Sequence, residues 1–268
     1  MKIQFTVLRA AIAADVPALV WGEPGVGKTA VLEELAAKDS YQLAVVLGAV
    51  REPTDFNDLA LVQDGGEVLR LPDQWVAEVR AAERPMVLFD DLTSVDRQVQ
   101  AAIAQVITDR QVGRVALPEP LRMVAAACEP EVAADGVELR AELANSFLHL
   151  DWEPDTDRFL TGMLHGFDTT IPTDTECGVV VSPDPARQQA ATATVHGFLT
   201  VRPDLVHVLP DDPVRAGKAW PSPHSWNSLA RILAHLPDGD TAAAALAACG
   251  LVGHAASTAF SDHLSRTT

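Results

Sequence analysis

The chain has 268 residues and a formal net charge of −17 at pH 7, from 37 acidic and 20 basic side chains. This length suits one large domain or two modest ones, and the acidity disfavours a nucleic-acid partner, because phosphate backbones are bound by clustered Lys and Arg. Membrane insertion is not predicted, since no uninterrupted apolar stretch approaches the roughly 20 residues of a spanning helix. The three cysteines, Cys128, Cys177 and Cys249, are widely separated, which predicts a reduced, cytoplasmic protein.

Five short apolar runs divide the first 150 residues, and turn or charged residues lie near each one. Such runs are typical of buried parallel strands, and they span Val16–Trp21, Leu43–Leu47, Met86–Phe89, Met123–Ala127 and Phe147–Leu150. The clearest amphipathic pattern is Ser94–Asp109, which predicts a helix between the third and fourth strands. This alternation predicts an α/β fold, with a parallel sheet core and helices on both of its faces.

The composition changes near residues 152–155, and helical patterns dominate beyond that point. The predicted helices are Thr156–His165, Asp184–Leu199, Ser222–His235, Thr241–Ala248 and Gly253–Leu264. Plausible N-cap residues are Asp155 or Thr156, Asp184 and Ser222, and the polar segment 169–183 is predicted to be a loop. The sequence therefore predicts two domains, a core at residues 1–153 and a small, mostly α-helical lid domain at residues 154–268.

The segment after the first strand carries the clearest chemical signal. It fits the pattern GxxxxGK(S/T) in full, with Gly22, Glu23, Pro24, Gly25, Val26, Gly27, Lys28 and Thr29, and a helical pattern, Thr29–Lys38, follows it. Glycines let the backbone wrap closely around a phosphate, and the N–H groups of a helix N-terminus bind anions. Lys28 would reach the β- and γ-phosphates of ATP or ADP, and Thr29 would ligate Mg²⁺. We include Ala30, the next residue, in the predicted nucleotide site.

A second acidic motif complements this loop. Met86–Phe89 is an apolar run that ends in two acids, Asp90 and Asp91. In a P-loop enzyme, a carboxylate at the end of a neighbouring strand holds Mg²⁺, and another group orients the attacking water. We therefore assign Asp90 to the metal, with Thr29, and assign Asp91 and Lys28 to catalysis.

Together these motifs resemble an AAA+ ATPase of the MoxR type, over nearly the whole chain. The resemblance is carried by Trp21–Thr29, Arg51–Phe56, Leu71–Trp75, Asp91–Ala102, Asp109–Gly113 and Ala219–Trp226. It implies a P-loop core with a helical lid that assembles as a homo-oligomer, with a hexameric ring favoured. It also implies a protein substrate or activator partner, including one with a von Willebrand factor A domain.

The chain departs from that family at four positions. The polar sensor after the fourth core strand falls on Cys128 or Glu129, with Cys128 the better alignment, and a thiol is a weak hydrogen-bond donor. Ser146 stands where the resemblance implies an arginine finger. His224 stands at the sensor arginine of the lid and is included among the nucleotide-binding residues, while Asp91 replaces the usual Glu.

These departures leave two functions open. In the first, the protein uses ATP binding and hydrolysis to remodel or activate a partner, with Arg140 or Arg158 as candidate substitutes for the finger. In the second, it is a nucleotide-gated scaffold, or one subunit of a heteromeric ring, that binds ATP with little turnover. The first function is the leading hypothesis. The second is motivated by the pattern of change, because Lys28, Thr29 and Asp90 are intact whereas the groups that accelerate hydrolysis are altered.

Overall fold

A computed structural model describes residues 2–56, 59–62, 68–71, 73–133 and 136–267 of the chain. Its centre is a five-stranded parallel sheet. The strands are β1 (Ala18–Trp21), β2 (Gln42–Leu47), β3 (Pro85–Asp90), β4 (Arg122–Ala127) and β5 (Leu148–Asp151), in the spatial order β2-β3-β4-β1-β5. All five predicted strands are confirmed to within two residues at each end, and so is the α/β fold.

Eleven helices are found in the described part of the chain. Those of residues 2–153 are α1 (Lys2–Ala13), α2 (Lys28–Lys38), α3 (Gln74–Ala81), α4 (Arg97–Asp109) and α5 (Ala141–Asn145). Those of the remainder are α6 (Thr156–His165), α7 (Asp174–Cys177), α8 (Pro185–Val201), α9 (Pro213–Ala216), α10 (Pro223–His235) and α11 (Thr241–Thr267). Two antiparallel strand pairs, Leu59–Val62 with Val68–Leu71 and Gln111–Val112 with Val115–Ala116, lie outside the main sheet.

The two faces of the sheet bury separate hydrophobic cores, because successive side chains of a strand point to opposite faces. Val20 packs in the core that contains α1, α2 and the buried sides of α8, α10 and α11. Its neighbour Trp21 packs in the core formed with α3, α4 and α5. The helices α8, α10 and α11 therefore share one core with the sheet, and α11 contacts both α1 and β5. The predicted domain boundary at residues 153 and 154 stays a prediction.

Local capping explains where the C-terminal helices begin. The carboxylate of Asp155 accepts the backbone N–H of Arg158 at the start of α6, and Asp184 does the same for Arg187 at the start of α8. Ser222 and Ser225 form a reciprocal capping box at the start of α10. The predicted caps at residues 155, 184 and 222 are thus confirmed.

Two elements differ from the sequence predictions. The segment 169–183 is not entirely a loop, because a capping box of Thr173 and Glu176 stabilises the one-turn helix α7 inside it. The last two predicted helices are both present but meet directly, because residues 249–252 between them are also helical, and α11 is broken at Gly253, whose φ of 75° and ψ of 165° are not helical. Within the described residues, the segment Thr241–Arg266 of α11 is long and apolar enough to cross a membrane, by length and composition alone. Half of its most apolar 18-residue stretch is buried inside the protein.

Candidate nucleotide-binding site

The loop between β1 and α2 curls back on itself at two glycines in the left-handed region of the backbone. Gly25 has φ of 83°, and Gly27, the N-cap of α2, has φ of 88°. A Cβ at either position would meet no atom within 4 Å, so backbone conformation rather than space requires glycine there. Gly22 is constrained differently, because a Cβ there would lie 2.5 Å from the carbonyl oxygen of Trp152.

Lys28 is buried within the curl of this loop. Its Nζ donates hydrogen bonds to the carbonyl oxygens of Gly22, at 2.8 Å, and Glu23, at 3.0 Å. These bonds use two of the three ammonium donors, which leaves one for a phosphate oxygen. The loop therefore positions a cation and a helix N-terminus at the same point, and this arrangement suits a bound polyphosphate.

The two predicted metal-side residues contact each other. Thr29 Oγ1 donates to Asp90 Oδ2 at 2.9 Å, and Asp90 is the buried last residue of β3. A hydroxyl and a carboxylate fit Mg²⁺, a hard cation that binds proteins through few oxygens and keeps water and phosphate ligands. The described residues contain no cluster of three or more His, Cys, Asp or Glu side chains suited to a metal. Phosphates and water would have to complete the coordination.

Asp91 projects from a strained turn directly after β3. Its φ of 56° lies in the left-handed region, which Asp tolerates better than most residues, and its N–H donates to Asp90 Oδ1 at 3.0 Å. Desolvation by partial burial, and then the negative charge of Asp90, raise the pKa of Asp91, while Lys28 opposes the shift. A carboxylate with a raised pKa is a better proton acceptor at neutral pH than an ordinary Asp.

A cavity of about 390 Å³ extends from the loop to α6. Gly25, Gly27 and Ala30 line one side, and Arg158 and Phe159 of α6 line the other. The volume is within the range of small-ligand sites. Of the two candidate finger residues, Arg158 thus lies beside the P-loop of its own chain, with its Nε bonded to Thr170 Oγ1 at 3.0 Å. Burial lowers the pKa of the Arg158 guanidinium.

Cys128, where the resemblance implies a polar sensor, lies one strand away from the P-loop. Cys128 directly follows β4, which pairs with β1, and the N–H of Gly22 donates to the carbonyl oxygen of Ala127 at 3.2 Å. Thr93 Oγ1 donates to the carbonyl oxygen of Cys128 at 2.8 Å and lies 3.9 Å from its Sγ. Cys128 is buried, whereas Glu129 points outward and pairs with Lys218.

The other predicted positions lie farther along the chain. Ser146 is the C-cap of α5, and its hydroxyl donates to the carbonyl oxygen of Glu142. Arg140 precedes the same helix, and its Nε lies 3.2 Å from Glu142 Oε2. His224, in the first turn of α10, is not among the residues that line the P-loop cavity. Desolvation and the charge of Arg231 lower the pKa of His224, so its ring is a poor source of positive charge at neutral pH.

Three residues near the loop were not predicted as functional. Lys218 Nζ lies 3.4 Å above the ring of Trp21, the residue before the P-loop. Trp21 Nε1–H in turn donates to His149 Nδ1 at 2.8 Å, and the two rings stack. No local pattern links these residues, because they lie 69 to 197 positions apart. The scarcity of lysine, 4 residues against 16 arginines, was the one available signal.

Comparison with solved structures supports the fold. A crystal structure from Cytophaga hutchinsonii, described as a "putative ATPase", superimposes with a TM-score of 0.52 at 15% identity, covering 84% of this chain and 71% of that one. No family model matches the sequence, and no curated protein matches it. At this identity the likeness shows a shared fold, a parallel sheet with helices and a helical C-terminal region.

Proposed function

We propose that the protein binds ATP with Mg²⁺ at the P-loop and hydrolyses it to ADP and phosphate. The observation that carries this proposal is the convergence at one sheet edge of Lys28, buried inside a two-glycine loop, with the bonded pair Thr29 and Asp90. The likeness in fold to a structure described as a "putative ATPase" is consistent with it.

Each residue has a distinct role in the proposed reaction. Lys28 binds the β- and γ-phosphate oxygens, and Thr29 and Asp90 hold Mg²⁺. When bound, the ion neutralises charge on the phosphates. Asp91 orients the attacking water and accepts its proton, a role that its raised pKa favours. The cavity beside α6 takes the remainder of the nucleotide.

Nucleotide titration of a single variant tests the binding step. Lys28→Ala is expected to weaken Mg-ATP binding about 10- to 100-fold, since a hydrogen bond to a charged group contributes about 1.5–3 kcal/mol. Lys2→Ala, which removes the same charge from an exposed residue of α1, is the matched control and should bind as the wild type does. ATP binding that is unchanged in Lys28→Ala would exclude the P-loop as the site.

A second candidate function, ATP binding with little turnover, is favoured by the residues at three positions. Cys128 is a buried thiol, Ser146 uses its hydroxyl within its own helix, and His224 has a lowered pKa. An arginine finger in trans accelerates related reactions by about 10³–10⁵. This candidate therefore predicts a very slow ATPase in the isolated protein that becomes faster in Ser146→Arg. Brisk turnover by the wild type would favour the first candidate.

We further propose that the protein works in the cytoplasm, as a homo-oligomeric ring or as part of a heteromeric ring, and acts on a protein partner such as one with a von Willebrand factor A domain. Supporting this, α6 carries large apolar side chains that are exposed by 52% to 79%, namely Phe159, Leu160, Met163 and Leu164. Contiguous exposed apolar side chains are typical of protein-binding surfaces. Light scattering with and without Mg-ATP measures the assembly directly.

A further inference from the structure

Three arginine side chains converge on a single carboxylate, that of Asp15, in the turn between α1 and β1. Arg110 and Arg122 both donate hydrogen bonds to Asp15 Oδ1, the latter at 3.3 Å. Arg231 approaches the second oxygen, with its Nη2 3.7 Å from Asp15 Oδ2. Among the described residues, every other carboxylate in an ion pair has a single basic partner. Three positive groups and one negative group therefore share one place.

These residues come from separate elements at the amino edge of the sheet. Arg122 is the first residue of β4, Arg110 is the C-cap of α4, and Arg231 lies in α10. Asp15 lies just before β1, whereas the P-loop follows Trp21 at the other end of that strand. The cluster is thus separate from the nucleotide site, and it joins α10 to the core of the protein.

Backbone contacts hold the guanidinium groups in place. Asp15 and Arg110 have φ of 55° and 50°, and the left-handed conformation at a helix end is usually adopted by Gly or Asn. Arg110 Nη1 donates to the carbonyl oxygen of Leu121 at 2.9 Å. Arg231 Nη2 donates to the carbonyl oxygens of Ala14 and Asp15. Since these bonds orient the arginines in advance, little ordering would be needed when a ligand binds.

The arginines remain accessible to a ligand. The side chains of Arg110, Arg122 and Arg231 are exposed by 28%, 23% and 44%. Each guanidinium carries more N–H donors than the bonds described above use. In the described structure, no nitrogen of Arg110 or Arg122 is buried without a partner. The unused donors therefore face solvent, where they can bind an oxyanion.

The local charge is positive although the chain as a whole carries −17. Burial lowers the pKa of the Arg231 guanidinium, Asp15 opposes that shift, and the other two arginines add to it. Asp109 and Glu119, the acids next to the cluster in sequence, form no ion pair with it in the described structure. One carboxylate thus leaves the charge of three guanidinium groups largely uncompensated.

We propose that Asp15, Arg110, Arg122 and Arg231 form an anion site that binds a phosphate group, as inorganic phosphate or as a phosphate monoester. Charge selects this class, because a phosphate monoester carries about −1.5 to −2 at pH 7 and a carboxylate only −1. The planar fork of arginine also suits bidentate binding of phosphate. A phosphate bound there would hold α10 against the end of α4 and the start of β4.

Calorimetric titration with inorganic phosphate tests this site in Lys28→Ala, where binding at the P-loop is weakened. We expect saturable phosphate binding and no saturable binding of acetate at the same ionic strength. Glycerol 2-phosphate in a parallel titration distinguishes an ester from the free ion. Adding Arg231→Gln should weaken phosphate binding about 10-fold, since it removes hydrogen bonds from a charged group. Arg202→Gln is the matched control, because Arg202 is exposed by 42% and pairs with one acid, Asp204.

Asp15→Asn is expected to have the opposite effect. It removes the carboxylate that competes with phosphate for the arginines, and Asn tolerates the left-handed backbone. Phosphate binding should become about 5-fold tighter, and phosphate should raise the Tm of this variant more than that of its parent.

Three results would overturn the inference. They are phosphate affinity that is unchanged in Arg231→Gln, phosphate binding that is not tighter in Asp15→Asn, and absence of saturable phosphate binding in Lys28→Ala. If the wild type binds phosphate and Lys28→Ala does not, the anion site is the P-loop, and the proposed ATP site is supported while this inference fails. Phosphate binding in Lys28→Ala without ATP binding by the wild type would have the reverse meaning.

Discussion

His149 of β5 is buried beside β1, and both of its ring nitrogens are hydrogen-bonded. Its Nδ1 accepts a hydrogen bond from Trp21, so the ring proton resides on Nε2, which donates to the carbonyl oxygen of Ala144 at 2.8 Å. Burial lowers the pKa of His149 to about 4. The ring is therefore neutral at physiological pH, and it links the strand before the P-loop to α5, whose last residue, Asn145, is hydrogen-bonded to Trp220 and Ser222.

This buried ring predicts a specific loss of stability in acid. The unfolded chain protonates His149 below about pH 6.5, whereas the folded protein resists protonation until about pH 4, so its contribution is complete above pH 6.5 and is lost as the pH falls towards 4. His149→Asn keeps an acceptor for Trp21 but does not titrate. Between pH 7.5 and pH 5, the unfolding free energy of the wild type should fall by about 2 kcal/mol more than that of the variant.

Urea unfolding at the two pH values measures this difference. His224 and His235, whose pKa values are also lowered by desolvation, titrate in both proteins and cancel in the comparison. Equal losses of unfolding free energy in the wild type and His149→Asn would show that folding does not lower the pKa of His149.

Asp91 gives a prediction about turnover rather than stability. Asp91→Asn removes the proton acceptor but keeps a residue that tolerates the left-handed backbone at φ of 56°. We expect it to bind Mg-ATP as the wild type does and to lose about 10²–10⁴-fold in hydrolysis rate. In the wild type the rate should rise with pH as Asp91 ionises, since its pKa is raised. A steady-state ATPase assay across pH, with Mg-ATP binding measured in parallel, checks the rate loss of the variant and the pH dependence of the wild type. Undiminished turnover in Asp91→Asn would exclude Asp91 as the base.

At the scale of elements, the sequence predicts what local patterns encode and misses what depends on distant partners. The five strands were found because each is an apolar run, and the caps at Asp184 and Ser222 because a single side chain forms each of them. The helix α1 was not predicted, and its interior includes the buried Arg9, whose partners Asp39 and Asp174 lie 30 and 165 residues away. Likewise, the P-loop is evident from one segment of the sequence. The ion pair of Lys218 and Glu129 could not be predicted, because the two residues lie 89 positions apart and only the fold brings them together.

Two glycines in helices are predicted to respond to alanine in opposite directions. Gly253 forms the kink of α11 at φ of 75°, and a Cβ there would lie 2.7 Å from the carbonyl oxygen of Ala219. Gly253→Ala should therefore destabilise the protein by about 2 kcal/mol or more. Gly197, inside α8, has nothing within 4 Å of an added Cβ, so Gly197→Ala should stabilise it by about 0.5–1 kcal/mol. Urea unfolding measures both changes in the free energy of unfolding. An unchanged free energy in Gly253→Ala would show that the kink is not fixed by this contact.

At the scale of the whole molecule, the nucleotide site is a local exception in a strongly acidic protein. Four lysines and 16 arginines oppose 37 acidic side chains, and one of these lysines, Lys28, is held inside the loop by the carbonyl oxygens of Gly22 and Glu23. A cation is thus placed where a triphosphate would bind. The same acidity has the opposite consequence for self-association, because identical subunits with a charge of −17 repel one another.

Ring assembly should therefore depend on salt in a predictable direction. Raising the ionic strength from 0.01 M to 0.15 M shortens the Debye length from about 30 Å to about 8 Å and screens the repulsion between acidic subunits. The exposed apolar face of α6 is not weakened by this screening. Light scattering should then show a larger Mg-ATP-dependent species at 0.15 M than at 0.01 M, while Lys28→Ala stays at the mass of one chain under both conditions. An oligomer that dissociates as the salt concentration is raised would show instead that opposite charges, such as Arg140 against an acidic residue of the neighbouring subunit, hold the subunits together.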